Sequence, residues 1–192
     1  MELIKDRVKL RLIDRNDVET LFAIVKENKE IWTYLIAKME NHEDMERYVE
    51  KAIEGYKKGT ELPFVVIDQE KNKVVGSTRL YNIEKENKTV ELGKTWYHPS
   101  VQRTSVNTEC KFLLLQYAFE ELKMLRVQIK TDSRNTKAQR AIERLGAVKE
   151  GILRNERQLP NGYVRDAVVY SIIAREWPLI KEQLHQKLHA YQ

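Results

Sequence analysis

The sequence contains a single cysteine, Cys110, among its 192 residues. One thiol can form neither an internal disulfide nor a cluster of thiolates around a metal ion. Long apolar runs are also missing, since no stretch approaches the roughly 18–20 residues of a membrane-spanning helix. The first ten residues, MELIKDRVKL, lack the apolar core of a secretory signal. We therefore expect a cytoplasmic protein that has no membrane partner.

Charge of one sign does not dominate the chain. The 34 Lys and Arg residues stand against 29 Asp and Glu residues, which gives a formal net charge of +5. The two signs are interleaved, and no basic run is dense enough to predict a nucleic-acid groove, although an anionic ligand would be favoured. The chain is 42% hydrophobic and 33% charged, as is typical of a folded globular protein. At this length we predict one domain over residues 1–192.

The common nucleotide-binding motifs are absent from the sequence. There is no GxxxxGK[ST] run, which argues against a P-loop NTPase. There is also no GxGxxG following a strand, which argues against a dinucleotide site.

Extended and helical patterns alternate along the chain. The predicted strands are 8–13, 64–67, 74–81, 89–97, 125–131, 147–154 and 163–173. The first predicted helix is capped by Asp14 or Asn16. The other predicted helices cover 43–58, 107–121, 135–145 and the tail from Pro178. This order predicts an α+β (mixed α/β) fold with a twisted mixed sheet of about seven strands. The early strands should be antiparallel, and 89–97 should run parallel to 125–131 because a helix connects them.

The most informative segment joins a predicted strand to a predicted helix, and it reads VQRTSVNTE from Val101 to Glu109. The first N–H groups of a helix have no partner within that helix, and they lie at the positive end of its dipole. Such a start is suited to bind phosphate. The alternative is an ordinary helix cap without a ligand, in which Ser105 or Asn107 satisfies the first turn.

Four segments, in order, carry a resemblance to a known family. They are VKLRLIDRNDVETLF, VELGKTWYHPSVQRTSVNTEC, TDSRNTKAQRAIERLGAVKEGILR and NGYVRDAVVYSIIAREW. In these segments the chain resembles the GNAT superfamily of acetyl-CoA-dependent N-acetyltransferases, and it looks most like the branch of the ribosomal-protein N-terminal (alanine/serine) acetyltransferases. The resemblance covers nearly the whole chain and implies the GNAT fold, with helices on both faces of the sheet.

The resemblance implies how acetyl-CoA would be held. The family's pyrophosphate loop has Gln or Arg, two further residues, Gly, one residue, and Gly or Ala. Gln102 matches this pattern, whereas Ser105 and Asn107 occupy the small positions, and Asn tolerates a left-handed backbone better than Ser. Asn135 matches the family's pantetheine-binding Asn, although it could also be a plain helix cap. The predicted cofactor-binding residues are Trp96, Tyr97, Gln102, Arg103, Thr104, Ser105, Val106, Asn107, Thr108 and Asn135. Backbone groups near Thr95 and Thr131 are expected to contribute.

The resemblance also implies a general base and a proton donor. Glu91 lies where related enzymes use a Glu that acts through water, and its alternative role is a salt-bridged strand residue. The family's usual donors, a Tyr and a Ser on the helix after Asn135, are replaced here by Ile142 and Ala138. Ser133, Tyr97 and His98 are local substitutes, and a donor could be unnecessary if water reaches the sulfur.

The remaining candidate residues have ordinary structural explanations. His185 and His189 are spaced as half a metal site on the last helix, but nothing completes it, so we predict no metal. We expect Cys110 to be a packed thiol rather than a nucleophile. Trp32, Tyr34 and Met39 lie in a segment that covers the acceptor side in the family, or else they simply pack in the core.

The sequence thus predicts an N-acetyltransferase that moves acetyl from acetyl-CoA to a primary amine, possibly a protein N-terminus, by direct attack in a ternary complex. The alternatives are a small-molecule (polyamine or aminoglycoside) acetyltransferase and a non-catalytic acyl-CoA-binding or sensor protein. The expected partners are acetyl-CoA and an amine acceptor, without nucleic acid. The apolar C-terminal segment could support a homodimer.

Overall fold

The computed structural model describes residues 1–190 and contains one mixed β-sheet. Its eight strands are β1 (Glu2–Ile4), β2 (Val8–Leu12), β3 (Glu61–Asp68), β4 (Lys73–Glu84), β5 (Thr89–Tyr97), β6 (Arg126–Asp132), β7 (Val148–Gln158) and β8 (Val164–Ile173). They lie in the order β1-β2-β3-β4-β5-β6-β8-β7. The predicted α+β fold is confirmed, with one strand more than the expected number. The additional strand is β1, which has three residues and is too short to give a periodic signal.

Among the eight described strands, only β5 and β6 run parallel, as predicted, and every other neighbouring pair is antiparallel. The parallel connection is made by a helix, because parallel strands need a long crossover. At the other end of the sheet β8 lies between β6 and β7, so β7 forms the edge. The sheet therefore changes from antiparallel to parallel at β5, and this change positions the candidate site.

Within the part of the chain that the structure describes, five α-helices cover the sheet. They are α1 (Val18–Glu27), α2 (His42–Lys57), α3 (Val106–Gln116), α4 (Thr136–Arg144) and α5 (Trp177–His189). Helix α3 continues into a π-helical turn over Tyr117–Glu121, so that the predicted helix 107–121 is present with a change of pitch near its end. Helix α4 ends just before Gly146, whose φ of +93° is the left-handed conformation that favours glycine after a helix.

Two apolar cores separate the helices by the face of the sheet that they cover. Helices α3, α4 and α5 pack against one face, where Leu114, Ile142 and Leu184 are buried with Phe64. Helices α1 and α2 pack on the other face, where Leu21 and Met45 are among the fully buried residues. Alternating residues of β3 supply both cores, because successive side chains of a strand point to opposite faces.

Candidate functional site

The parallel strands β5 and β6 pair over three residues only. The register runs from Thr89 with Arg126 to Glu91 with Gln128. Beyond that point β5 continues to Tyr97 and β6 to Asp132, each paired only on its outer side, with β4 and β8 respectively. The inner edges of both strands therefore face a gap in the sheet. Unpaired backbone N–H and C=O groups at such a gap are able to bind an extended ligand with amides of its own.

A β-bulge in β5 lies along this gap. Trp96 is opposite Ser77 whereas Gly93 is opposite Arg79, so β5 contains one more residue than β4 between these pairs. Lys94 takes up the extra length with φ of +48°, and its Nζ lies 2.8 Å from Glu61 Oε1. A bulge re-aims the residues that follow it. As a result Trp96 points into the core under α1 and α2, and Tyr97 packs against the core under α3.

The close approach of β4 to the end of β5 depends on Gly76. A Cβ atom at this position would lie 2.2 Å from the Trp96 carbonyl oxygen, closer than real Cβ atoms come to other heavy atoms. The β-bulge in the β3–β4 pair lies directly beside Gly76, where the register shifts. The backbone of Trp96 is thereby fixed against β4, which leaves the opposite edge of β5 toward the gap.

Helix α3 follows β5 after a short loop, and the side chain of its N-cap residue makes no capping hydrogen bond. His98 accepts a hydrogen bond from Ser100 N at 3.0 Å and so caps the single 3₁₀ turn Pro99–Val101. Ser105 occupies the N-cap position of α3 but makes no capping hydrogen bond to the first turn. Thr104 Oγ1 accepts weakly from Val106 N at 3.3 Å. The ordinary-cap alternative is therefore not what the structure contains, and the first-turn N–H groups remain suited to an anion.

The left-handed residue of the loop lies at neither of the two small positions of the family pattern. Ser105 has φ of −64° and ψ of −18°, which is right-handed, and Asn107 lies within α3. The left-handed residue is Arg103, with φ of +63°. The condition for Ser105 and Asn107 to replace small residues, that their φ and ψ values be allowed, is met, because the loop places the left-handed conformation two residues before Ser105. Any residue type can occupy the Ser105 position as far as φ and ψ are concerned.

The Ser105 hydroxyl has a partner within the protein. Its Oγ lies 2.7 Å from Glu109 Oε1, one turn further along α3. The other oxygen of Glu109 accepts hydrogen bonds from Arg7 N at 2.8 Å and Val8 N at 3.0 Å. Glu109 is only 3% exposed and ties the start of α3 to β2. This explains why Ser105 does not cap the helix, and it makes the hydroxyl unavailable as a phosphate ligand while the bond persists.

The start of α4 lies beside that of α3. Asn135 caps α4 through its Oδ1, which accepts from Ala138 N at 3.0 Å. The cap role is thus present, and the Nδ2 donors of Asn135 take no part in it. Lys137, in the first turn, places its Nζ 2.9 Å from Gln102 Oε1. A cation at the positive end of a helix is unfavourable without an anion nearby, so Lys137 is a candidate anion-binding residue that the sequence analysis missed.

Glu91 is the last residue of β5 that pairs with β6, at the point where the gap begins, and it is 9% exposed. Its Oε1 accepts a hydrogen bond from Asn82 Nδ2 at 2.9 Å, and its Oε2 lies 3.3 Å from Lys130 Nζ. The Lys130 contact is an ion pair that lacks hydrogen-bond geometry. The predicted alternative, a salt-bridged strand residue, is therefore present. Asn82 has φ of +49° and donates its side-chain amide to the Glu91 carboxylate, a contact that no sequence motif predicts.

A polar cluster surrounds Glu91 on the sheet face covered by α1 and α2. Tyr81 lies opposite Glu91 across β4 and β5, and burial together with the Glu91 charge raises the pKa of its phenol. Lys130 is also 3.7 Å from Glu156 Oε1. Burial alone would raise the pKa of Glu156, but hydrogen bonds from Arg157 and Arg165 lower it to about 2. These residues come from five strands and could be brought together only by the fold.

None of the local substitutes for a proton donor stands out. The Tyr97 hydroxyl is buried without a hydrogen-bond partner in residues 1–190, and burial raises its pKa well above the usual value. His98 is the cap of a turn, and Ser133 lies in the loop before α4, where its N–H donates to Asp166 O at 3.0 Å. Burial raises the pKa of the Cys110 thiol to about 12, in keeping with a packed rather than a nucleophilic cysteine.

The segment between α1 and α2 packs over the end of β5. The Trp32 ring lies edge-on to Trp96 at 5.5 Å and to Tyr48 at 5.4 Å between centroids. Tyr34 is 5.6 Å from the Arg134 guanidinium, which also stacks on Tyr163 at 3.5 Å. Trp32 thus has the packing role that was one of its two alternatives, whereas Tyr34 joins a cation–aromatic contact at the mouth of the gap.

The predicted cofactor-binding residues gather at one end of the sheet. Tyr97 ends β5, the loop from Gln102 leads into α3, and the Gln102–Lys137 contact joins that loop to α4 and hence to Asn135. The Trp96 and Val106 side chains are buried in the two cores, so only their backbone groups face this region. Within residues 1–190, no group of three or more metal-ligating side chains is found, and no helix is long and apolar enough to cross a membrane.

The comparison with known families identifies the class of protein that has this sheet and this helix start. The sequence profile of the Acetyltransferase (GNAT) domain family matches residues 7–148, more than half of the chain. The protein therefore belongs to the GNAT acetyltransferase family. The predicted resemblance and the predicted enzyme class are confirmed.

Individual relatives agree with this assignment. The chain is 27% identical over 180 residues to YdaF of Bacillus subtilis (strain 168), named as a proposed ribosomal N-acetyltransferase, with 91% of this chain and 95% of the relative covered. A GCN5-related N-acetyltransferase from Brucella melitensis is 29% identical, with a TM-score of 0.89 over 98% of this chain and 85% of that one. The microcin C7 self-immunity acetyltransferase MccE, solved in complex with acetyl-CoA and AMP, has the same fold at 23% identity, with a TM-score of 0.79 over 88% of this chain and 93% of that one.

Proposed function

We propose that this protein transfers the acetyl group of acetyl-CoA to a primary amine by direct attack within a ternary complex. The observation that carries the proposal is the unpaired stretch of β5 and β6 lying next to an α3 start that has no side-chain cap. Open strand edges suit the amides of a pantetheine arm, and a free helix start suits a pyrophosphate. The MccE relative, which was solved with acetyl-CoA, gives independent support for the cofactor.

The proposed cofactor contacts follow from the positions of the side chains. Backbone N–H groups of Asn107 and Thr108 bind the pyrophosphate, and that of Val106 joins them by giving up its long 3.3 Å bond to Thr104 Oγ1. Arg103 and Lys137 supply positive charge beside it. Asn135 donates through its Nδ2 while its oxygen continues to cap α4. Thr104 and Ser105 shape the loop through Val101 O and Glu109 rather than through the ligand.

Glu91 is the proposed general base for the attacking amine. It lies at the closed end of the gap, on the sheet face opposite α3 and α4, so a proton can leave the amine on the side away from the cofactor helices. Its Oε1 is held by Asn82 and its Oε2 lies 3.3 Å from Lys130, so both oxygens have neighbours within the protein, which favours an action through water rather than direct contact. Acetyl transfer without metal ions needs no more than this proton acceptor and a path for a proton to the sulfur.

A protein N-terminus is the acceptor class that we place first. The support is the resemblance to YdaF, which is named as a proposed ribosomal N-acetyltransferase. The Tyr34–Arg134–Tyr163 contact lies at the mouth of the gap, where an extended peptide could pack against aromatic rings. Polyamines and aminoglycosides are the small-molecule alternatives, and they would be expected to use the carboxylates around Glu91 instead.

A screen of acceptors tests this proposal. Purified protein is incubated with acetyl-CoA and, separately, with peptides that begin with Ser or Ala, polyamines and aminoglycosides, and the released CoA thiol is measured. Turnover with the peptides, and none with N-acetylated copies of the same peptides, is the expected result. Turnover with the small amines alone would refute the protein acceptor but keep the enzyme. Tight acetyl-CoA binding without turnover of any amine would instead favour the non-catalytic sensor, to which the apolar residues Ile142 and Ala138 at the usual donor positions already point.

A further inference from the structure

A lysine of α3 is buried beside the gap. Lys111 is 8% exposed, and its Nζ donates a hydrogen bond to Thr95 Oγ1 at 2.6 Å. Thr95 Oγ1 is in turn 2.8 Å from Thr78 Oγ1. Buried lysines are almost always paired with a carboxylate. Within residues 1–190 Lys111 forms no such pair, so a role in an ion pair does not explain it.

The surroundings of Lys111 make its proton easy to lose. Burial lowers the pKa of the Lys111 ammonium to about 8, and the neighbouring Cys110 offsets this only in part. The other titratable groups nearby are the Tyr97 hydroxyl from β5 and the Glu109 carboxylate from α3. Burial raises the pKa of both the Cys110 thiol and the Tyr97 phenol, so both are neutral near pH 8. Glu109 is held by the amides of Arg7 and Val8 and by Ser105.

Thr95 connects this buried amine to the gap. It lies on β5 beyond Glu91, the last residue paired with β6, and it is half-buried whereas Lys111 is buried. The Thr95 oxygen accepts from Lys111, and its own hydroxyl proton is within reach of Gly93 O at 3.3 Å and Thr78 Oγ1 at 2.8 Å, so this proton has to leave these partners to be donated to a ligand in the gap. Lys111 approaches from the sheet face that α3 and α4 cover, the same face that buries Ile142. Ile142, which replaces the family's usual donor on α4, and Lys111 on α3 thus lie on the same side of the gap.

We propose that Thr95 and Lys111 form the proton relay that protonates the thiolate of CoA as it leaves. The inference rests on the proposed acetyl transfer. The new N–C bond forms while the C–S bond breaks, and sulfur keeps the electron pair of that bond. The Thr95 hydroxyl gives its proton to sulfur and takes one from the Lys111 ammonium. The proton released by the acceptor amine restores the charge balance through solvent, and Lys111 is reprotonated in the same way. Thr95 is the catalytic residue here, and Lys111 positions and charges it.

Matched substitutions test the relay in turnover. Lys111→Met keeps a long unbranched side chain but removes the ammonium group. Thr95→Val removes the hydroxyl and keeps the shape of the side chain, whereas Thr95→Ser retains the hydroxyl. We expect kcat to fall about 100-fold in K111M and T95V, with KM for acetyl-CoA little changed, because a positioned proton donor contributes about 10²–10⁴-fold. T95S should keep most of the activity. The wild type should lose kcat as pH rises through about 8, as Lys111 deprotonates, and K111M should lack this decline.

A second readout does not depend on catalysis. The thiolate of bound CoA absorbs in the ultraviolet, so the thiol can be titrated in each complex. The Lys111 charge should hold the thiol pKa lower in the wild type than in K111M by about one pH unit. T95S serves as the control, with the wild-type value. This titration remains informative even if K111M changes the stability of the fold, as long as the variant binds CoA.

The outcomes separate this inference from the proposed function. Wild-type protein that turns over no amine refutes acetyl transfer, whereas the thiol titration still tests the relay. Wild-type turnover with unchanged kcat and pH profile in both K111M and T95V would overturn the relay alone. An identical thiol pKa in wild type and K111M would also overturn it.

Discussion

Replacing Ser105 with alanine separates the two roles that its hydroxyl could have, which are to hold the start of α3 or to bind phosphate. In the structure Ser105 Oγ is 2.7 Å from Glu109 Oε1, and this carboxylate is nearly buried. A hydrogen bond to a charged group contributes about 1.5–3 kcal/mol. Glu109 keeps the amides of Arg7 and Val8, so we expect Ser105→Ala to lower the free energy of unfolding by about 1.5 kcal/mol, at the low end of that range.

Urea unfolding measures the loss of stability, and calorimetric titration with CoA measures the affinity. CoA affinity should change by no more than about twofold, or roughly 0.4 kcal/mol. In a Glu109→Gln background the Ser105→Ala change should cost clearly less, because interacting residues are not additive. Unchanged stability together with a tenfold weaker affinity for CoA would refute the reasoning and would indicate that the Ser105 hydroxyl binds the phosphate.

Three further predictions concern Arg103, Glu91 and Glu156. Arg103→Gly should be more stable to urea than Arg103→Ala by about 1 kcal/mol, because only glycine accepts φ of +63° without cost. Both variants should weaken CoA binding equally. Equal stabilities of the two variants would contradict the left-handed conformation of Arg103. Glu91→Gln should reduce kcat at neutral pH more than CoA affinity, whereas the exposed control Glu86→Gln should change neither, and an unaltered kcat in E91Q would remove Glu91 as the base. Glu156 has its pKa lowered to about 2 in the fold, so its contribution to stability is present above its unfolded pKa of about 4.3 and is lost as pH falls from there towards 2. Unfolding curves should therefore show a smaller loss of stability between these pH values in Glu156→Gln than in the wild type, and parallel losses would contradict the assigned ion pair.

The sequence predicted the elements that periodicity and turn residues determine. The bounds of β5 agree at both ends, α4 ends before the glycine expected to stop it, and the parallel pairing of β5 with β6 follows from their helical connection. The short strand β1 was missed because three residues hold no pattern. The family resemblance then placed the loop before α3 at the candidate site, which composition alone could not do.

Local pattern could not reveal the contacts that decide what each site residue does. Ser105 bonds to Glu109, one turn away, and Glu109 accepts from backbone amides just over a hundred residues earlier in the chain, as the bond from Val8 shows. The Lys111–Thr95 hydrogen bond forms because the bulge at Lys94 turns Thr95 toward α3. Such contacts depend on the packing of distant strands, so they become visible only once the sheet order and the register are known.

The central claim is that the free start of α3 binds the pyrophosphate of CoA, and amide NMR tests it most directly. Protein labelled with ¹⁵N is titrated with CoA and, in parallel, with pantetheine, which has no pyrophosphate. The account predicts that the largest shifts caused by CoA fall on the N–H groups of Val106, Asn107 and Thr108, and that pantetheine leaves these groups unchanged while it shifts the amides along β5. Saturation with CoA without a shift at the start of α3 would contradict it.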